Sequence, residues 1–322
     1  MAANLLLLSV MVATQRQSSI ALRLVQLWYS SVRVSVRIEG YNFMHNSMNR
    51  IAVCSWSLQP ADTADLIARL DSTGIHAVSL ALSPLIEQPK NWADAVLRLR
   101  DAGIDVISGM MATQGEDYST LQRIAETGGL RPSATWPANL EHAKAVAALA
   151  AAHEIELVTF HAGFLPEETS DPERAVLLDR LGQVADVFAA SGLRIALETG
   201  QESAATLSAL LAELNRPNIG VNFDPANMIL YAMGDPAQAI MHLKPFVLQI
   251  HIKDALATKI PGTWGEEVPV GQGQVQWAAL LEVVRSITPA IDLVIEREAG
   301  DHRVADIITA RDLLASYGFT MR

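Results

Sequence analysis

Four short apolar runs each end in a side chain able to hold a divalent cation. They read Arg194-Ile-Ala-Leu-Glu198, Ile219-Gly-Val-Asn-Phe-Asp224, Phe246-Val-Leu-Gln-Ile-His251 and Ile291-Asp-Leu-Val-Ile-Glu296. Carboxylates and imidazole without thiolate suit a hard or borderline ion such as Mn2+, Mg2+, Co2+ or Zn2+. Three carboxylates gathered at one point would repel one another strongly at low dielectric, which favours a bound dication. Taken singly, each residue has a plainer reading. Asp224 before Pro225 fits a helix N-cap, and Glu296 could pair with Arg297. His251 alternates with Gln249 and Lys253 along one face, which does not suit a core histidine. Four independent accidents on successive runs are a poor explanation, and one shared site is a simple one.

The elements that would gather these residues are visible around them. Each run is rich in β-branched or large apolar side chains and is followed by a loop and a helical pattern, as in parallel strands joined by crossover helices. From Arg50 onward this alternation is continuous. Strands are predicted over 51–56, 76–82, 104–110 and 155–161, ahead of the four runs. Helices are predicted over 62–72, 92–102, 119–126, 137–153, 172–191, 203–214, 236–243, 277–286 and 304–317. The first strand leads into Ser55-Trp-Ser-Leu-Gln-Pro60, with no glycine-rich nucleotide fingerprint. The pattern therefore predicts a single (β/α)8 TIM barrel over 48–322 rather than an open doubly wound sheet. In such a barrel the carboxyl ends of all strands meet at one mouth, where active sites form.

Residues 1–47 read differently, with four arginines against a single acid, Glu39. The run Leu5 to Ala13 has no positive residue before it and is too short to span a bilayer. An N-terminal extension outside the barrel is expected, best explained by a start codon placed too far upstream, with Met44 or Met48 as the true start. A cleaved transit-like segment is the alternative. The whole chain of 322 residues carries a formal net charge of −11, which argues against a nucleic-acid backbone as partner. Its single cysteine, Cys54, excludes an internal disulfide and a thiolate zinc cluster. A cytoplasmic location without membrane contact is the matching expectation.

Six stretches carry a family resemblance: His161-Ala-Gly163, Leu197-Glu-Thr199, Asp224-Pro-Ala-Asn227, His251-Ile-Lys-Asp254, Pro269-Val-Gly-Gln-Gly273 and Ile295-Glu-Arg-Glu298. In this order, over about residues 50–320, they resemble the xylose-isomerase-like TIM barrels, in particular the sugar phosphate isomerase/epimerase group with its ketose 3-epimerases and inosose-handling enzymes. The resemblance implies Glu198, Asp224, His251 and Glu296 as ligands of a divalent metal, Mn2+ in the first place. It also implies Glu198 and Glu296 as the acid/base pair on opposite faces of a sugar or polyol. A metal holding a carbonyl oxygen and its neighbouring hydroxyl acidifies the carbon-bound proton and stabilises an enediolate. One carboxylate removes that proton and another returns it. Relatives of this kind pair through loops at the barrel mouth, so a homo-oligomer is implied as well.

Further residues are candidates for substrate contact. His161 would end the fourth strand at the same mouth, and Asn227 would lie one helical turn after Asp224, where several relatives carry histidine. Lys253 and Arg297 could hold a phosphate or carboxylate, or pair with Asp254 or Glu298. Trp56 and Trp264 could form apolar walls, core packing or a subunit contact. Residues 262–267 form a long insert after the seventh strand, readable as a mobile lid. The expected activity is a metal-dependent sugar isomerase or epimerase working by proton transfer. Inosose dehydration at the same site is a close neighbour, and a non-catalytic sugar-binding barrel is a further alternative. An apurinic endonuclease shares the His-x-Gly motif, but its trinuclear zinc cluster needs histidines that Met110-Met-Ala-Thr-Gln114 and Asn227 do not supply.

Overall fold

A computed structural model describes residues 49–320 apart from Thr169, so the extension predicted over 1–47 lies outside the described residues. Ten strands occur among them: β1 (Ile51–Cys54), β2 (Ala77–Ala81), β3 (Asp105–Met110), β4 (Leu157–Phe160), β5 (Arg194–Glu198), β6 (Ile219–Phe223), β7 (Val247–Ile252), β8 (Asp254–Leu256), β9 (Glu266–Val268) and β10 (Asp292–Ile295). Eight of them close a barrel in the order β1-β10-β7-β6-β5-β4-β3-β2, every neighbour parallel. The strands are covered on both faces, which is why they read as nearly unbroken apolar runs. β8 and β9 form a separate antiparallel pair over the mouth end of β7.

Alternation along each strand divides the core in two. Outward residues such as Val53, Val158, Ile195 and Ile250 pack against the surrounding helices. Inside the barrel, a small cluster of Ala52, Cys54, Ala77, Ile107 and Val294 sits beneath Trp56. Above it the interior turns polar, with Asn222, Gln249 and His251 all fully buried. A polar layer under the mouth is what a packed barrel shows when its top is a chemical site rather than more core.

The helices begin where the sequence places capping side chains. Asp62, Thr120, Asp171, Ser203 and Asp235 each accept a backbone N–H of the first turn. One predicted helix is corrected. The element predicted over 92–102 is shortened to Ala95–Asp101, and two short helices not predicted, Ser83–Glu87 and Pro89–Trp92, precede it. Pro84 and Pro89 each sit at the start of one of these added helices, where the missing N–H does no harm. The end predicted for the first strand, Ser55 and Trp56, instead enters a 3-10 turn over Ser55–Leu58.

Two glycines lock the loops after β3 and β4 together beside the mouth. Gly129 has φ +66°, and a Cβ there would lie 2.2 Å from the Ala162 carbonyl. Gly163 faces back at Gly128, and the Leu130 N–H donates to the Ala162 oxygen at 3.0 Å. Gly129→Ala is expected to cost about 2 kcal/mol or more, from left-handed strain plus a backbone clash. Chemical denaturation would measure it, and an unchanged midpoint would mean that the interlock is not needed.

Candidate metal centre at the barrel mouth

Four adjacent strands deliver the four residues. Glu198 is the last residue of β5, Asp224 follows β6, His251 lies near the end of β7 and Glu296 follows β10. All four are buried, and one ligand atom from each falls within 4.8 Å of the others. His251 Nδ1 stands 3.5 Å from Glu198 Oε1, 3.5 Å from Asp224 Oδ2 and 3.4 Å from Glu296 Oε2. Those separations are wider than good hydrogen bonds, and His251 Nδ1 and Asp224 Oδ2 have no hydrogen-bond partner. Buried polar atoms are normally satisfied. Two such atoms, facing each other among further carboxylate oxygens, fit a cation that draws the set together. The donor set of three carboxylates and one imidazole suits Mn2+, Mg2+, Co2+ or Zn2+ equally in kind.

Asp224 is the helix cap that its place before Pro225 predicts. Its Oδ1 accepts the Asn227 N–H at 2.9 Å and so caps the short helix Pro225–Leu230, while Oδ2 is left to face His251. Glu296 does not pair with Arg297. Its Oε1 accepts the Trp56 indole N–H at 2.7 Å and its Oε2 accepts Lys253 Nζ at 2.8 Å. Glu198 Oε1 accepts Asn227 Nδ2 at 2.9 Å, with His161 Nε2 at 3.6 Å. His251 Nε2 lies 3.0 Å from Asn222 Nδ2, with Cys54 Sγ at 3.7 Å.

The electrostatics follow from this crowding. Burial works to raise the Glu296 carboxyl, but Lys253 and His251 overcome it and hold the group well below the usual carboxylate range. Burial likewise opposes charge on Lys253, yet Glu296, Glu298, Asp224 and Glu267 hold its ammonium well above the ordinary lysine value. Burial pushes Asp224 up, with Lys253 opposing. If a dication is drawn into this charge set, adding Mn2+ at about a hundredfold excess over its dissociation constant stabilises the fold by about 2.7 kcal/mol. For a domain of this size that is a melting shift of about 5–10 °C. Thermal melts in Mn2+ and in EDTA would measure it, and coincident curves would exclude a resident ion.

The mouth above these residues is a cavity of about 260 Å³ whose walls include Trp56, Tyr118, His161, Asn227, Tyr231 and Trp264. The two candidate tryptophans thus stand on it, and Trp264 lies against Tyr231 with ring centroids 4.9 Å apart. Residues 262–267 are part of the turn and second strand of the β8–β9 hairpin. Arg297 is not brought to the cavity. Its guanidinium is held by Glu267 Oε1 at 2.7 Å and Asp306 Oδ2 at 2.9 Å. Lys253 does line the cavity but is bound to Glu296 and Glu298, at 2.8 and 2.6 Å. Glu116, Tyr118, Tyr231, Glu267 and Glu298 also line it, and the sequence reading did not name them as site residues. Glu298 carried a signal in its spacing of two from Glu296, and Glu267 in its place in the 262–267 insert.

One buried acid stands apart from the cluster. Burial alone pushes Glu202 up to about 8. Its folded value lies above its unfolded one, so its contribution is fully present below the unfolded value and lost as pH rises through about 8. Glu202→Gln is expected to be more stable than the parent at pH 8 by about 4 kcal/mol and to match it near pH 4. Denaturant titrations at the two pH values test this, and a pH-independent difference would contradict it.

A closed parallel (β/α)8 barrel with an acidic, imidazole-bearing mouth is the class that fold and site define. The chain belongs to the xylose isomerase-like TIM barrel family, whose profile matches residues 40–317. The xylose isomerase domain protein of Planctomyces limnophilus is similar in structure, with a TM-score of 0.74 at 29% identity over 85% of this chain and 97% of that one. An L-ribulose 3-epimerase shares the fold at a TM-score of 0.62 and 17% identity, covering 84% of this chain and 94% of that one. So does the probable 3-DHS dehydratase AsbF of Bacillus anthracis, also at 0.62 and 17%, over 83% of this chain and 98% of that one. In sequence, the uncharacterized protein YihM of Escherichia coli K12 is 29% identical over 154 residues, 47% of this chain. The match spans 45% of that protein's length. No helix among the described residues is long and apolar enough to cross a membrane.

Proposed function

We propose that this protein is a divalent-metal-dependent sugar isomerase or epimerase that moves a proton on a ketose or keto-polyol. The observation that carries this reading is the convergence of Glu198, Asp224, His251 and Glu296, with two unsatisfied polar atoms facing each other beneath an aromatic-walled cavity. Likeness in fold to an L-ribulose 3-epimerase supports it.

When bound, the metal supplies Lewis acidity toward a carbonyl oxygen and its neighbouring hydroxyl, which acidifies the intervening C–H. The residues of the chain do the rest. Glu296 is oriented by the Trp56 N–H on one oxygen and by Lys253 on the other, so it has one settled geometry from which to take the carbon-bound proton. The C–H electron pair passes into the enediolate. Glu198, arriving from β5 with its Oε1 held by Asn227, starts the cycle protonated and gives that proton up from the other side, and exchange with water then resets both carboxyls. Reprotonation at the same carbon inverts it, and reprotonation at the neighbouring carbon isomerises the sugar. His161, 3.6 Å from Glu198, donates to a substrate oxygen. Tyr231 and Trp264 keep bulk water from the enediolate.

The test is incubation of the purified chain with Mn2+ and a panel of ketoses and inososes in D2O, followed by NMR. Deuterium is expected at the carbon next to the carbonyl, and the product separates epimerase, isomerase and dehydratase. Metal bound tightly with no exchange in any compound would leave a binding barrel as the better account.

A further inference from the structure

Beneath the four converging residues lies a polar layer where a packed barrel would ordinarily carry apolar side chains. Asn222, on β6, and Gln249, on β7, are both fully buried and stand side by side in register. Asn222 also stands beside Glu198 of β5. Asn222 precedes Asp224 by two positions, and Gln249 precedes His251 by two, so each shares a face with a member of the cluster. Buried amides cost stability unless their hydrogen bonds are made. Gln249 Oε1 nevertheless has no hydrogen-bond partner among the described residues.

His251 gives this layer a task. Its Nδ1 faces oxygens of Glu198, Asp224 and Glu296, at 3.5, 3.5 and 3.4 Å. A ring nitrogen that ligates a cation must offer its lone pair, so the proton of the imidazole has to sit on Nε2. Nε2 meets the Asn222 amide at 3.0 Å, and the Cys54 sulfur, a weak acceptor, at 3.7 Å. The amide is the better receiver of that proton, and it can receive it only through its oxygen. An amide has the same outline either way round, so a half-turn of Asn222 exchanges its ends without moving a neighbour. Its nitrogen then leaves Nε2, and Glu198 Oε2 at 3.4 Å, for the side where Gln249 lies at 3.3 Å. A matching half-turn of Gln249 meets it with the oxygen that has no partner. The amino end of Gln249 is left over, a smaller cost than an imidazole N–H set against another N–H.

We propose that Asn222 is a positioning residue for the metal centre: its amide oxygen holds the Nε2 proton of His251 and so commits Nδ1 to the cation, while Gln249 holds its amide nitrogen. This rests on the reading of the cluster as a metal site, and it adds two residues that do not line the cavity. The same link fixes the rotation of the imidazole ring, which an aliphatic layer would leave to packing alone.

Calorimetric titration of the full chain with Mn2+ tests the assignment. Asn222→Leu removes the acceptor and is expected to weaken Mn2+ binding about 10- to 100-fold. Asn222→Asp, whose carboxylate offers only acceptors, is expected to return the affinity to within about threefold of the parent. Gln249→Met removes the second link alone and is expected to cost less than Asn222→Leu. Long-range proton–nitrogen correlation NMR of the Zn2+-loaded, isotope-labelled chain is expected to place the His251 proton on Nε2, the signal being identified by its loss in His251→Gln. Parent-like affinity in Asn222→Leu overturns the proposal, as does an Asn222→Asp no better than Asn222→Leu, or a proton found on Nδ1. Should circular dichroism show that Asn222→Leu does not fold, the NMR result on the parent decides. A parent that binds no divalent ion removes the metal reading itself, whereas binding indifferent to Asn222 removes only this role.

Discussion

Glu296→Gln is expected to slow solvent-deuterium incorporation about 10³- to 10⁴-fold at saturating Mn2+ while the barrel stays folded. The amide has the shape of the carboxylate, and its oxygen can still accept the Trp56 indole N–H that the carboxylate accepts at 2.7 Å. Lys253 keeps Glu298 as a partner, at 2.6 Å. What is lost is the capacity to take a proton, together with one anionic member of the cation-binding set. Exchange rates by NMR, read beside circular dichroism and metal titration, separate the two losses. Unchanged exchange at full metal occupancy would place the base elsewhere, with Glu198 the next residue to test.

Lys253→Met should damage the fold itself. The ammonium is buried and lies within 4 Å of Asp224, Glu267, Glu296 and Glu298. Removing one partner of a buried charge set leaves the others uncompensated, at a cost of about 3–5 kcal/mol. In a domain of this size the melting temperature would fall by about 10 °C or more in EDTA. Mn2+ should recover part of the loss, because a dication among the same carboxylates replaces the missing positive charge. A variant as stable as the parent in EDTA would mean that these acids take up protons rather than rely on Lys253.

The barrel was legible because its strands are buried on two faces and its helices begin at recognisable caps. Positions 198, 224, 251 and 296 stood out because each breaks an apolar run at its carboxyl end, and the fold brings those ends together. What stayed hidden depends on tertiary approach or on lengths too short to show a period. Glu116 and Tyr118 reach the cavity from an irregular segment between β3 and the helix Leu121–Thr127, where no repeat points inward. β8 and β9 have three residues each, too few for alternation to be seen. Arg297 was misplaced as well. Glu296 and Glu298 both line the cavity while Arg297 between them does not, its guanidinium being held by Glu267 and Asp306 through tertiary contacts that no local spacing reveals. The stretch Pro269-Val-Gly-Gln-Gly273 belonged to the family pattern, but its packing around the buried Asp254 has no local signature.

The seam that closes the barrel also sets a temporal order during synthesis. β1 is made first, yet one of its two neighbours is β10, and Arg50 finds its partner Asp292 only 242 residues later. Trp56 and Glu296, the donor and acceptor across the same seam, are separated by 240 residues. A growing chain therefore holds β1 and β7 as bare edges until the last strand leaves the ribosome, the condition in which strands recruit neighbours from other molecules. Loop closure over that span comes late and slowly. Glu296 acquires its orienting indole in the same step that seals the sheet, so a chain interrupted before residue 292 would carry Glu198, Asp224 and His251 without the fourth member of their cluster.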